Sequence, residues 1–383
     1  MYNNCKEQLI VLFDKRIVLF LLFLVCSIFL FIFTLQANLM AKIPQDFEAY
    51  YYAAKAFFAG GNPYSVPEVN RINDTKLVLP FLYHPYFLLL FAPLIKFSIE
   101  NAARIWLFFN FAAAFYLLWL WHSIYKGGYK AFLLLFLLFF SFNYVLAINF
   151  RTGNVALLSA ALIWSAFYFL LKENAFGFLI FLFLTFMFKL FPIVFFPLIF
   201  FIPAQKRKNL GKLIVGLIAV WLLPFLFRPR LLIQYLNRLV SIPTEGGPIS
   251  PCSYSLITDV VGRWGLFSTN IIYLIWVGLA IYFLWQGIKK LDWRKDRLTI
   301  INLSLLTFII VVPRFKDYSY VMAVPVVYKM VMGNILLIFL PFMGLINSIR
   351  YSNYYLTSYL SFFIALIFWV CLVYNILRKK SEG

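Results

Sequence analysis

Two carboxylates, Asp46 and Glu48, stand two residues apart in the segment Pro44-Gln45-Asp46-Phe47-Glu48-Ala49-Tyr50-Tyr51-Tyr52, in a chain with only 14 acidic residues among 383. A carboxylate of this kind can take the proton of an attacking hydroxyl, which is general-base chemistry. On a helix the two side chains diverge by roughly 200°, so a regular helix cannot aim both at one proton. From the local pattern Asp46 reads as the cap of an ordinary interfacial helix, and Glu48 as solvated, orienting a substrate or neighbouring a base. Lys189, Arg263, Arg314 and Lys316 are cations of the type that neutralise a departing phosphate. Lys189 interrupts an apolar run, where an ammonium is costly without a partner or a route to the interface. Arg314-Phe315-Lys316-Asp317 packs two cations and an acid into one turn, suited equally to phosphate contact and to interfacial anchoring. His84, before Pro85, fits a helix start hydrogen-bonded to backbone or a polar role in the same loop as Asp46. His122 is the only other histidine, and without a Cys/His cluster neither zinc nor haem is expected.

The elements that must hold these residues follow from composition. The chain is 64% hydrophobic, 21% aromatic and 13% charged, and a soluble protein of this length could not hide that much apolar surface. It is expected to be a polytopic, all-α membrane protein. The net charge of +20 fits the positive-inside bias and anionic headgroups. Nucleic acid is excluded as a partner, because the basic residues fall in short clusters between apolar runs. Cys26 and Cys371 lie in apolar runs, Cys5 is near the N-terminus and Cys252 is alone in a polar loop, a pattern that implies no disulfide.

The run from Ile17 to about Met40 follows Lys15-Arg16 and lacks a small-residue cleavage site, so it reads as a first transmembrane helix with the N-terminus cytoplasmic. Further spans are expected near 101–125, 130–148, 154–171, 175–188, 190–203, 210–227, 269–288, 298–312, 317–331, 334–349 and 355–377, about twelve in all, with both termini inside. The cytoplasmic connections then carry Lys172, Lys206-Arg207-Lys208, Lys289-Lys290 and Arg294-Lys295-x-Arg297. The spans 175–188 and 190–203 are short and read as a broken pair around Lys189-Leu190-Phe191-Pro192. The whole of 1–383 reads as one integral-membrane domain with two long outside loops, 41–100 and 228–268. In the first loop, Asp46 falls at an N-cap position, apolar residues at 50, 53, 54 and 57 follow at helical spacing, and Gly60-Gly61 ends the helix. A second interfacial helix is expected over 83–98, started at His84-Pro85 and interrupted at Pro93. Asn149, Gly153 and Asn154 read as an outside turn.

In order along the chain come Asp46-x-Glu48, Tyr51/Tyr52-x-Ala54, Gly61-Asn62-Pro63-Tyr64, Tyr83-His84-Pro85 with Pro93, and Ala103-Arg104. Gly153-Asn154-Val155, Lys189-x-x-Pro192, Tyr254-Ser255-Leu256 and Pro313-Arg314-x-Lys316-Asp317-Tyr318 follow. In this order and in these places between spans, the chain resembles glycosyltransferase family 87, the polyprenyl-phosphate-mannose-dependent α-mannosyltransferases and their relatives. The resemblance extends over nearly the whole length. It implies the C-type glycosyltransferase fold, with Asp46 as catalytic base of an inverting transfer at the outer face of the cell membrane. The donor would be a polyprenyl-phosphate sugar, with mannose the default and a pentose such as arabinofuranose also in range. The acceptor would be a lipid or glycan hydroxyl. Lys189, Arg263, Arg314 and Lys316 are then the expected ligands of the donor phosphate. Glu48, Tyr51, Asn62, Tyr64, Tyr83, His84, Asn154 and Asp317 are the expected substrate-binding residues. No cofactor is expected, since the donor carries its own leaving group. No metal is expected either, since fixed cations can serve a monophosphate. One departure stands out: mannosyltransferases of the family can carry a histidine in the late outside loop, where this chain has Asp317, Tyr318 and Ser319.

The competing function is a transporter or flippase for a glycolipid. It predicts charges at mid-span and a duplicated architecture. Here the charges map to loop ends and no repeat is apparent.

Overall fold

The computed structural model describes residues 43–340 and 358–378, except 78, 126–130, 143–144, 208–209, 242–245, 248–249, 263–264, 335–336 and 338. The expected first span, most of the expected span 334–349 and the candidate Arg263 lie outside the described residues. Among the described residues every regular element is helical. Three short helices come first: α1 (Gln45–Phe58), α2 (Val66–Asn73) and α3 (Pro85–Phe91). Then follow α4 (Ile99–Tyr125), α5 (Ala131–Phe140), α6 (Val145–Thr152), α7 (Ala156–Leu171), α8 (Ala175–Phe188) and a 3-10 helix over Phe191–Phe201. Next are α9 (Leu210–Phe227), α10 (Pro229–Val240), α11 (Ser253–Val261), α12 (Leu266–Lys289) and α13 (Trp293–Val311). A further 3-10 helix, Asp317–Ala323, leads into α14 (Val324–Gly333), and α15 (Leu360–Arg378) is the last. Among the described residues α4, α12, α15 and the stretch Ala204–Phe227, which contains α9, are long and apolar enough to cross a bilayer, which makes this a membrane protein.

Several expected spans divide. The span expected over 130–148 is two helices, α5 and α6, separated where Phe142 takes a φ of 48°. A left-handed phenylalanine is costly, and here the ring is wholly buried and stacked 5.3 Å from Tyr320. Asn149 consequently lies inside α6 and not in the expected turn. The stretch expected as a span over 190–203 is a 3-10 helix, because Pro192 and Pro197 each lack an N–H and crowd the preceding turn. The expected loop 228–268 holds two helices, α10 and α11.

The site is positioned by α7. Its 16 residues span roughly 24 Å at 1.5 Å per residue. Just beyond its C-terminus, Glu173 forms ion pairs with both Lys206 and Arg297, and Arg297 also donates to the Leu171 carbonyl at 3.2 Å. The basic connections expected on one side therefore gather at one end of α7. Asp46 lies at the other, beside Asn154.

Candidate active site

Helix α1 forms because Phe47, Tyr50, Tyr51 and Ala54 recur at helical spacing and are all buried. Tyr50 meets Phe87 of α3 edge-on at 5.0 Å, and Phe47 lies 5.9 Å from Phe91. Each such buried aromatic contributes on the order of 1.5–3 kcal/mol. The helix stops where expected. Gly60 takes a φ of 87°, and the Gly61 N–H reaches back to the Ala56 carbonyl at 2.8 Å. Arg228, leading into α10, donates to the Phe57 carbonyl at 2.9 Å and lies over the Phe57 ring.

The start of α1 differs from the expected cap. The helix begins at Gln45 with Pro44 in the cap position, and Asp46 is one residue inside its first turn. The carboxylate still gains from the positive end of the helix, but it turns to a partner in another segment. Asn154 Nδ2 donates to Asp46 Oδ2 at 2.7 Å. Asn154 Oδ1 accepts from the Ala156 N–H at 2.9 Å at the start of α7, which fixes which end of the amide faces Asp46. Nδ2 lies 3.2 Å from the Tyr50 hydroxyl as well, and that hydroxyl is 3.0 Å from the Tyr83 hydroxyl.

Gly153 makes this approach possible. Its φ is +65°, and a Cβ there would sit 2.8 Å from Pro44 Cβ and 3.0 Å from Phe47 Cβ. Trp106 of α4 holds the Gly153 carbonyl through Nε1 at 2.7 Å.

Burial pushes the Asp46 carboxyl above its ordinary range; the Asn154 hydrogen bond and the charges of Lys316, Lys189 and Arg314 act against that rise. The charges acting most strongly on Asp46 are thus all positive. Lys189 caps the C-terminus of α8 in an extended conformation. Its Nζ donates to Ser319 Oγ at 3.1 Å and lies 5.5 Å from the Tyr318 ring. Burial, followed by repulsion from Arg314, pushes Lys189 down to about 8, and Asp46 pulls it back up. The turn bearing Arg314 and Lys316 is clamped on several sides. Asn149 Nδ2 donates to the Tyr318 carbonyl at 2.9 Å, Phe315 N–H donates to Ser250 Oγ at 3.2 Å and Cys252 Sγ to the Pro313 carbonyl at 3.1 Å. Cys252, expected alone in a polar loop, is fully buried in that clamp.

The structure thus brings Asp46, Asn154, Tyr83, Lys189, Arg314 and Lys316 together. The other expected residues are engaged differently. Tyr51 donates its hydroxyl to the Phe97 carbonyl at 2.7 Å. Asn62 Oδ1 accepts from the Tyr64 N–H at 3.0 Å within its turn, and the Tyr64 hydroxyl donates to the Tyr83 carbonyl at 3.0 Å. His84 takes the helix-start role: Nδ1 accepts from the Tyr86 N–H at 3.3 Å, and Trp221, Phe225 and Tyr235 wall in the ring. Burial pushes it down to about 3, so it stays neutral. Asp317 accepts from Ser361 Oγ at 3.0 Å. Glu48 is half-buried, with its carboxyl raised by that burial. Tyr50 was not anticipated, although its spacing of four from Asp46 puts both on one helix face. Among the described residues no three His, Cys, Asp or Glu side chains cluster.

An apolar cavity of about 520 Å³ lies between α3, α4, α7 and α8, lined by residues including Trp106, Tyr116, Leu162, Phe181 and Phe188. Of its lining residues, Phe188 immediately precedes Lys189 in the chain, and Trp106 also holds the Gly153 carbonyl.

No curated protein and no solved structure matches the chain. The sequence pattern of glycosyltransferase family 87 does, over residues 81–313; this stretch includes Tyr83, Asn154 and Lys189, and leaves out Asp46 and Arg314. With well over half its length carrying that pattern, the chain belongs to glycosyltransferase family 87.

Proposed function

We propose that this glycosyltransferase moves a sugar, by default mannose, from a polyprenyl-phosphate donor to a hydroxyl of a lipid or glycan acceptor. Transfer proceeds with inversion at the outer face of the cell membrane, within a C-type fold of about twelve spans. The observation that carries this reading is one carboxylate, Asp46, bonded to Asn154 and under the charges of Lys189, Arg314 and Lys316, in a protein whose apolar cavity is lined in part by Phe188 and Trp106. A lipid-linked sugar phosphate needs that combination: an apolar path for the tail, cations for the phosphate and a base opposite the leaving group.

In the proposed reaction Asp46 accepts the proton of the acceptor hydroxyl as its oxygen attacks the anomeric carbon. The sugar–phosphate C–O bond breaks, and its electron pair stays with the phosphate oxygen, beside Lys189, Arg314 and Lys316. A single displacement needs one carboxylate, whereas a double displacement needs a second as nucleophile. The charges that act most strongly on Asp46 come from cations and not from a second carboxylate, as a single displacement requires.

The test offers purified enzyme a panel of polyprenyl-phosphate sugars and, separately, nucleotide sugars, with a lipid and glycan extract as acceptor. Transfer only from lipid-linked sugars, giving the inverted anomer, is the expected result. Transfer from nucleotide sugars alone would overturn the donor class, and retention would overturn the single displacement.

Asn154 gives a pH-dependent prediction. Its hydrogen bond favours the ionised carboxylate, so Asn154→Ala raises the Asp46 pKa further. The base is active when deprotonated, so the acid limb of kcat/KM must move to higher pH in the variant. A limb at the wild-type position would remove Asn154 from this role.

A further inference from the structure

We infer that Arg238 of α10 is a fourth cation of the donor site, contacting the phosphate that leaves the sugar. The inference rests on the lipid-phosphate donor proposed above.

Leu231, Tyr235 and Arg238 follow one another at spacings of four and three, which sets them along one face of α10. Leu231 and Tyr235 are buried, so that face is turned into the protein. Ile233, Leu236 and Val240 are exposed, as on a helix whose outer side meets lipid. An interfacial helix ordinarily carries its basic residues on the water-facing side. Arg230 is exposed, whereas Arg238 is half-buried and its Nε is buried without a hydrogen-bond partner.

A continuous set of contacts links this face to the base. The Tyr235 ring lies 5.6 Å from Tyr64, and the Tyr64 hydroxyl binds the Tyr83 carbonyl at 3.0 Å. The Tyr83 hydroxyl meets Tyr50, which with Asp46 shares the Asn154 amide. The neighbouring charge that acts on Arg238 belongs to Arg314, another cation; burial and that repulsion both hold Arg238 below its ordinary value.

A partly buried guanidinium that feels a second cation is stabilised when an anion lies between the two. Arginine suits phosphate in particular, because its planar fork donates two parallel hydrogen bonds to two oxygens. Timing favours the leaving group. The donor phosphodiester carries one negative charge, and C–O cleavage leaves a phosphate monoester carrying about −1.5 to −2 at pH 7. A fourth cation therefore stabilises the state after bond breaking more than the state before it.

The test measures binding of a synthetic polyprenyl phosphate, and of the matching neutral polyprenol, to full-length protein in nanodiscs of neutral lipid. The variants are Arg238→Gln, Arg238→Met, which keeps the side-chain stem without its charge, and Arg230→Gln from the exposed side. Both Arg238 variants are expected to bind polyprenyl phosphate about ten- to a hundred-fold more weakly. Polyprenol binding, and both ligands with Arg230→Gln, should stay at wild-type levels. Wild-type affinity in whichever Arg238 variant folds overturns the assignment. An equal loss for polyprenol makes the residue structural and also overturns it. In nanodiscs containing phosphatidylglycerol, a loss of lipid retention with polyprenyl phosphate binding intact would reassign Arg238 to bulk headgroups. The outcome that sinks the underlying donor class is separate: wild-type protein binding polyprenyl phosphate no better than polyprenol.

Discussion

Replacing Asp46 by asparagine is expected to lower the transfer rate by about 10²–10⁴-fold, the usual contribution of a positioned general base. The change is nearly isosteric, and Asn154 Nδ2 can still donate to an amide oxygen at position 46. The fold and the binding of donor should therefore survive, which confines the loss to kcat. Melting temperature and donor affinity measured beside turnover make that separation. Glu48→Gln is the control; Glu48 is half-buried and lies roughly 200° round the helix from Asp46, so only a small effect is expected. Full activity in Asp46→Asn would eliminate the assignment and direct attention to Glu48 or Asp317.

The second large effect concerns the leaving group. Lys189→Gln is expected to reduce kcat by about 10²–10³-fold, the scale seen when one preorganised donor to a developing negative charge is removed. The KM for donor should change less, because the charge grows as the bond breaks. The pH dependence adds an independent readout. Lys189 is held at about 8, and in the proposed reaction it acts while protonated. As pH rises through that value the ammonium is lost, so kcat/KM, which reports the free enzyme, should fall above about 8. Lys189→Arg keeps its charge at every accessible pH, so the fall should disappear in that variant whatever its absolute rate. An alkaline limb unchanged in Lys189→Arg would assign it to another group.

What the sequence disclosed, and what it withheld, follows from the range of the interactions. The membrane character and the stop at Gly60-Gly61 depend on composition and on local backbone preference, and both were legible. So was the break at Lys189, where Pro192 forbids a regular helix. The division of 130–148 was not legible, because it depends on Phe142 meeting Tyr320, almost 180 residues away. The same holds for Asp46. Its local context reads as an N-cap, and a partner 108 residues distant draws the carboxylate aside. Lys189, Arg314 and Lys316 could be singled out one by one, but their convergence on Asp46 is a property of the folded chain. The proposal for Arg238 needed the folded chain, because amphipathic spacing identifies an inward face without saying what lies opposite.

The contact between Asn154 and Asp46 also bears on how the enzyme resets between turnovers. Asn154 presents an amide nitrogen to Asp46 Oδ2, and an amide at neutral pH gives a hydrogen bond without accepting or relaying a proton. The tyrosine pair behind it, Tyr50 and Tyr83, is therefore insulated from the carboxyl as a proton conduit, although it is connected to it by hydrogen bonds. In the proposed reaction a proton taken from the acceptor leaves through the other carboxyl oxygen, on the side where the acceptor was bound. In the proposed reaction the product occupies that side, so recharging of the base is ordered behind product departure. Crowding of the acceptor side by a slowly released product would then stall the catalyst in its protonated, inactive form.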